Sequence, residues 1–448
     1  MPGLVAGHVC FCGVDRRHPG LKEFTDDALE EAAPDLAWWE CRSNTKEPDT
    51  VELVLAEWVS AILRWLHVIA GIAWIGSSFY FIHLDLSLKP RPGLPDGVKG
   101  DEWQVHGGGF YHMMKYVVAP GQMPDTLTWF KWEAYTTWLS GFSLLVLVYY
   151  LGADIFLIDK SVLDLTAIQA AAIAFGSLAV SWLAYEGLCR SPLGRYEVAL
   201  ALVGYVYLVA LTYAFTHVFS GLGAFTQIGA LVGTIMVANV FVIIIPYQKK
   251  TVAAMLASKE PDPVWGELGK QRSVHNNYLT LPVVFLMLSN HYPLMFATKY
   301  NWVIVAIVLL IGPVIRHFFN SRHEGKGSPW WTWGVAAAGM VAIAWVSAAG
   351  PRSVTTGALP PTPKFKQVSN IIISRCSMCH AAEPVWDGIP AAPKGVMLDS
   401  DAQIRRHARL IEIFAVRSQA MPPGNITEMT PQERLVLASW IAAGEPGK

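Results

Sequence analysis

Long apolar runs alternate along the chain with short polar segments rich in basic residues. No Asp, Glu, Lys or Arg occurs from Val198 to Gln248, a stretch of 51 residues. A helix needs roughly 20 apolar residues to cross a bilayer, so this stretch holds two helices and a turn near Ser220–Gly223. Further charge-free windows fall at Trp65–Leu84, Thr136–Ala153, Leu165–Tyr185, Ser273–Thr298, Tyr300–Ile315 and Gly327–Pro351. The pattern predicts an all-α fold: a bundle of about eight transmembrane helices near 58–84, 136–158, 165–186, 197–218, 222–246, 275–295, 301–318 and 331–349. Pro246, Pro282, Pro293 and Pro313 lie inside these spans or near their ends, where neighbouring helices can satisfy the freed carbonyls.

Either side of the bundle the character changes. Residues 1–50 hold five basic and ten acidic residues with Gly/Pro punctuation and no apolar leader core. They read as an N-terminal extension, either a flexible external tail or an upstream extension of the reading frame. Residues 51–350 form the membrane domain, 351–366 a Pro/Lys-containing linker and 367–448 a small polar domain. Composition agrees: 53% of the 448 residues are hydrophobic and 15% charged, where a soluble domain carries about a quarter charged. An ordinary soluble enzyme and a disordered chain are excluded. A formal charge of −1 gives no handle for a nucleic acid.

Basic residues also set the orientation, because they concentrate in cytoplasmic loops. The first, third, fifth and seventh loops hold 15, among them Lys89, Lys131, Arg195, Lys250 and Arg322, whereas the even loops hold only Lys160 and Lys299. The odd loops are therefore expected in the cytoplasm of a bacterial inner membrane, and both termini on the periplasmic side.

The small domain carries Cys376-Ser-Met-Cys379-His380, a C-x-x-C-H sequence. Two thiols at this spacing form thioethers to haem vinyl groups, and the adjacent imidazole reaches the iron. An amphipathic segment, Phe365–Ser374, precedes the motif, and Met421 follows on a loop stiffened by Pro422 and Pro423 before a helix at Pro431–Ala442. The arrangement resembles a class I cytochrome c with covalent haem c, His380 and Met421 as axial ligands, and a potential raised by that pair. Met397 and Met429 are rival sixth ligands. Haem is attached outside the cytoplasm, where the charge bias puts this domain. Cys10, Cys12, Cys41 and Cys189 form no comparable arrangement.

Ionisable groups within a bilayer are functional candidates. On the first span Arg64, His67, Gly71, Trp74 and Ser78 share one face. That face serves either helix packing or a second, b-type haem at His67, with His217 or His291 opposite. Denser polar sequence falls on the inner side, where His83 and His323 also lie. His106 and His112 flank a Gly-rich stretch, Lys131 and Glu133 lead into the second span, His275 and Asn277 open the sixth, and Arg316 and His317 close the seventh. Such residues grip a flat, polar, anionic heterocycle, or else belong to a membrane-interface belt.

The segments 65–88, 103–151 and 272–293, together with the C-x-x-C-H domain, resemble the bacterial membrane-bound urate oxidase (urate hydroxylase) family, most specifically at Trp103–Tyr116, Trp129–Gly141 and His275–Pro293. The resemblance implies an oxidoreductase that converts urate to 5-hydroxyisourate, with electrons leaving through cytochrome c to a further cytochrome c or a terminal oxidase. Removing two electrons from a purine anion and adding hydroxide from water requires an electron sink, which a haem domain supplies. Two other functions use the same features: a quinol-to-cytochrome c electron conduit, and a purine transporter with a fused haem domain. Against the transporter, the chain shows no repeated halves.

Overall fold

The computed structural model describes residues 50–120, 123–296, 298, 300–348, 359–386, 389, 391–418 and 420–444. The chain divides into two compact units, Met1–Glu52 and Leu53–Lys448. The expectations for the N-terminal extension with Cys10, Cys12 and Cys41, and for the first half of the linker, fall outside the described residues.

Helices account for most of the second unit. α1 (Thr50–Ser87) is followed by α2 (Trp132–Leu144), which runs on through a π-helical turn, Leu145–Tyr150, to the short α3 (Ala153–Phe156). Next come α4 (Ala167–Arg190), α5 (Glu197–Phe215) and α6 (Gly221–Ala238); a second π-helical turn, Asn239–Ile244, joins α6 to α7 (Ile245–Leu256). α8 (Pro263–Leu288), α9 (Pro293–Phe296), α10 (Asn301–His323) and α11 (Trp331–Ala348) complete the bundle. Each predicted span contains helix. Five helical stretches are long and apolar enough to cross a membrane: Val54–Ser87, Ala167–Arg190, Glu197–Phe215, Gly221–Leu256 and Asn301–His323. The second span is interrupted, the sixth is polar over its first half, and Trp331–Ser347 is short.

α6 is the bundle's axis. Phe225, Ile228, Leu231 and Val232 are fully buried among residues of α4, α8 and α10. Pro282, inside α8, fits against Gly312 of α10, where any Cβ would strike the pyrrolidine ring. Small residues permit such close helix contacts, which carry the packing energy in a bilayer. α1 is the opposite case, with Trp58, Trp65, Val68 and Ile72 exposed.

The all-α expectation needs correction between the first two spans. β1 (Val98–His106) pairs antiparallel with β2 (Gly109–Tyr116), in a register that sets Trp103 against His112 and Val105 against Phe110. Gly107 and Gly108 both have positive φ, 59° and 79°, as a two-residue hairpin turn of type I′ demands.

A separate core forms C-terminally. α12 (Phe365–Arg375) packs on α15 (Pro431–Ala442), burying Val368, Ile372, Leu437 and Trp440, with α13 (Asp401–Arg406) and α14 (Ala408–Ile411) adding Ile404 and Ala408. α15 begins with a reciprocal cap: Thr430 Oγ1 accepts from the Glu433 amide at 3.2 Å, and the Glu433 carboxylate accepts from the Thr430 amide at 2.6 Å. This segment touches the bundle. Gly424 sits against the Ile158 carbonyl, and Ala420 packs on the bundle core.

Candidate functional site

Two polar clusters lie inside the bundle, and α8 contributes to both through residues less than two turns apart. On one side, Tyr185 Oη is 2.7 Å from His275 Nδ1 and accepts from Asn239 Nδ2 at 3.1 Å. Asn239 Nδ2 also donates to Asn276 Oδ1 at 2.9 Å, and Asn276 Nδ2 to the Met236 carbonyl at 2.9 Å. Arg272, 1% exposed, lies over the Tyr185 ring and pairs with Glu186 at 2.8 Å. Arg272 Nε and Nη1 and Asn239 Oδ1 are buried without partners.

On the other side, Arg316 Nε donates to Asn277 Oδ1 at 3.2 Å and Arg316 Nη2 to Asn320 Oδ1 at 3.1 Å. Asn320 Nδ2 reaches Asn277 Oδ1 at 3.0 Å, leaving the buried Asn277 Nδ2 unpartnered. The guanidinium lies 3.8 Å from the centroid of the Phe79 ring. Arg316 is 5% exposed, and its hydrogen-bond partners are neutral amides; no carboxylate pairs with it among the described residues. Next to it the rings of His83 and His323 meet edge-on at 4.3 Å, with both Nδ1 atoms buried and unpartnered. A buried cation without a counter-ion is costly, which makes Arg316 the group in this cluster best suited to meet an anion.

The structure therefore gathers His275, Asn277 and Arg316 around α8, and adds Tyr185, Arg272, Asn239, Asn276, Asn320 and Phe79. Asn239 had a visible signal: it and Gln227 are isolated amides deep in the charge-free stretch. Tyr185, at the end of an apolar window, had none.

Other candidates lie apart. His317 points to Ser321 at 3.4 Å and to the Trp331 ring. His106 is exposed beside the hairpin turn. His112 stacks on Trp103, 4.1 Å between centroids, and meets Asp101 Oδ2 at 2.9 Å, while Arg91 pairs with Asp101 Oδ1 at 3.1 Å. The His112 hydrogen bond, reinforced by the Arg91 charge against the opposing effect of burial, holds the Asp101 carboxyl below its ordinary value. This constellation braces the hairpin. Lys131 faces the Trp132 ring, and Glu133 is an acidic residue in the first turn of α2.

His67 Nδ1 meets the Thr137 carbonyl at 2.9 Å and Ser140 Oγ at 3.3 Å, leaving Nε2 as the atom able to bind a metal. Its ring lies against Gly141, where a Cβ would come within 2.6 Å. His217 is exposed, with Nδ1 on the Tyr213 carbonyl at 2.8 Å. His291 is exposed as well. The contacts of His67 are on α2 and those of His217 on α5, so no shared contact joins the two.

In the C-terminal segment, Cys376 and Cys379 are free thiols on one helical turn, with the Cys379 and His380 amides both donating to the Cys376 carbonyl. Burial pushes the Cys376 thiol up to about 12. His380 Nδ1 lies 2.8 Å from the Val396 carbonyl, so it donates there and turns an Nε2 lone pair outward, the arrangement a metal-binding imidazole needs. Met421 is held by its amide on the Phe414 carbonyl at 2.9 Å and by Arg434 on its own carbonyl at 2.9 Å. Met429 is instead 2% exposed in the core. Trp440 Nε1 is buried without a partner. No group of three or more His, Cys, Asp or Glu suited to a metal ion occurs among the described residues, but a c-type haem takes one imidazole and two thiols. The donor set Cys376, Cys379, His380 and Met421 fits that group, and the unpartnered indole N–H fits an acceptor on it.

No curated protein and no solved structure matches the chain. A family model described as urate oxidase N-terminal matches residues 53–347, the whole helical bundle and the hairpin. The chain belongs to the urate oxidase N-terminal family.

Proposed function

We propose that this protein is a membrane-embedded, cytochrome c-linked urate hydroxylase. It takes urate to 5-hydroxyisourate in the helical bundle and passes the electrons through haem c in residues 367–448 to a further cytochrome c or a terminal oxidase. Arg316 carries the proposal: it is a fully charged group buried among apolar spans, with amides and an aromatic ring around it but no anion. Urate at neutral pH is a flat monoanion, which supplies the missing charge. Asn277 Nδ2 adds a donor beside Arg316, and Arg272 Nε and Nη1, with Asn239 Oδ1 as acceptor, extend the unfilled polar capacity across α8. A purine edge that alternates carbonyl oxygens with ring N–H groups matches such a mixture. Burial excludes bulk water, which strengthens every polar contact the anion makes.

Cys376, Cys379, His380 and Met421 would hold the haem, and Arg434 fixes the Met421 loop by donating to the Ala415 and Met421 carbonyls and to Asn425 Oδ1. When bound, the haem supplies a one-electron acceptor whose potential is raised by Met/His ligation. The seat of the Met421 loop against Ile158 and the bundle core supports the coupling of the two parts. It also agrees with the charge bias, which places the turn near Ile158 and the C-terminus on the same, periplasmic, side of an inner membrane.

The test is anaerobic addition of urate to isolated membranes while the c-haem spectrum is recorded. Reduction with formation of 5-hydroxyisourate is expected. Stoichiometric peroxide formed under air, without haem reduction, would overturn the proposal.

A further inference from the structure

The hydrogen bonds around Tyr185 have a direction, set at one end by a backbone atom. The Met236 carbonyl can only accept, so the Asn276 group that meets it at 2.9 Å is the amide nitrogen. The Asn276 oxygen then faces Asn239 and accepts from Asn239 Nδ2 at 2.9 Å; turning either amide round would set oxygen against oxygen. The second proton of Asn239 Nδ2 goes to Tyr185 Oη at 3.1 Å. Tyr185 thus already accepts, and its own proton needs an acceptor. Of the groups beside Tyr185, His275 Nδ1, 2.7 Å away, is the strong acceptor, and the Cys189 thiol is a weak one. A protonated imidazole, or one carrying its proton on Nδ1, would leave the phenol proton only the weakly accepting Cys189 thiol. A neutral histidine that accepts at Nδ1 carries its proton on Nε2, and no hydrogen bond among the described residues uses that atom.

We infer that Tyr185 is a positioning residue that fixes His275 as a donor through Nε2–H, directed to a carbonyl or anionic oxygen of a bound purine. His275 is then not the base that removes a proton from the substrate. The assignment of the ligand rests on the urate reading above; the assignment of the proton does not. The π-helical turn that begins at Asn239 is part of the device. Such a turn inserts one extra residue into the helical repeat and re-aims the side chain at its start, a feature frequent at functional sites.

Imidazole nitrogen NMR on the ¹⁵N-histidine-labelled full chain tests it, with the His275 signals assigned by their loss in His275→Gln. The expected wild-type pattern is an unprotonated Nδ1 and a protonated Nε2, becoming a mixture of both tautomers in Tyr185→Phe. A proton on Nδ1 in the wild type, or a pattern unchanged in Tyr185→Phe, overturns the inference. Kinetics give a second measurement. His275→Gln keeps an amide N–H near the Nε2 position and should retain urate-dependent haem reduction within about 10-fold. His275→Asn, whose amide reaches only the Nδ1 position, should lose about 100-fold, the effect of roughly 2.7 kcal/mol. Equal losses in the two variants count against a donor at Nε2. Should wild-type membranes fail to oxidise urate, the functional reading fails, while the NMR pattern still decides where the proton sits.

Discussion

Arg316 lies over Phe79, its guanidinium carbon 3.8 Å from the ring centroid, with Asn277 and Asn320 hydrogen-bonded to it. The ring, the two amides and the charge come from three helices, α1, α8 and α10. The cluster therefore exists only in the assembled bundle. A cation stacked on an aromatic face and bonded only to neutral oxygens keeps most of its field available for a ligand.

Replacing that charge tests the field directly. Arg316→Gln preserves a hydrogen-bonding amide near Asn277 and Asn320 but removes the charge, and is expected to weaken equilibrium urate binding about 100-fold, on the order of 3 kcal/mol. Arg316→Lys should fall between, because it keeps the charge and loses the planar fork. Unchanged affinity in Arg316→Gln would move the anion site elsewhere.

The hairpin should respond to acid. Asp101 is held below its ordinary value of 3.8, chiefly by the His112 hydrogen bond. A carboxyl depressed in the folded state stabilises it above the unfolded value, and that stabilisation disappears as pH falls through the lower folded value. Amide exchange in β1 and β2, corrected for its intrinsic pH dependence, should stay level from about pH 7 to 5 and accelerate only below the ordinary Asp range. In Asp101→Asn the pH-dependent component should vanish.

Gly424 has a φ of 54° and abuts the Ile158 carbonyl. Gly424→Val meets both obstacles, a left-handed backbone that costs about 1–2 kcal/mol for a residue with a Cβ and the collision itself. Hydrogen exchange should show protection lost at Ala153–Asp159, with covalent haem content unchanged. Protection equal to wild type would show that the loop does not rest on that turn.

The methionines separate cleanly. Met421→Ala should lower the haem potential with little effect on folding, whereas Met429→Ala, in the core, should cost about 2–5 kcal/mol and leave the potential in place. Cys376→Ala or Cys379→Ala should weaken covalent attachment, as read by pyridine haemochrome after acid extraction. A potential unmoved in Met421→Ala removes that residue as the sixth ligand.

What could be read from the chain alone divides along physical lines. The apolar helices were legible because their signal is one-dimensional: a bilayer demands a run of apolar residues whatever packs beside it, although five rather than eight are long and apolar enough to cross one. The C-x-x-C-H motif is visible for the same reason, since the chemistry proposed for it depends on local spacing. Gly71 illustrates the limit. It shares a helix face with His67, yet the residue that lies under the imidazole is Gly141 on α2, a neighbour no pattern along α1 can reveal. His106 and His112 show another. Gly107–Gly109 reads as a loop that closes on a ligand, but the same glycines make a hairpin turn, and strand register delivers His112 to Trp103 and leaves His106 exposed. Arg316 and Asn277 were recognisable by type. That Asn320 completes them, and that no acid does, depends on how α8 and α10 pack.

Were the C-terminal segment the electron carrier of the proposed function, its contact at Gly424 with Ile158 would change the kinetics of electron delivery as well as its geometry. A free carrier protein would reach the bundle by diffusion, at a rate set by its abundance. A carrier joined to the last span by residues 349–364 meets its docking turn as a neighbour at an effective concentration on the order of millimolar. Encounter would then be first-order, and supply to the first acceptor would no longer depend on how much carrier the cell makes. The step left open to dilution, ionic strength and competition would be the next one, where the C-terminal segment would meet a separate protein.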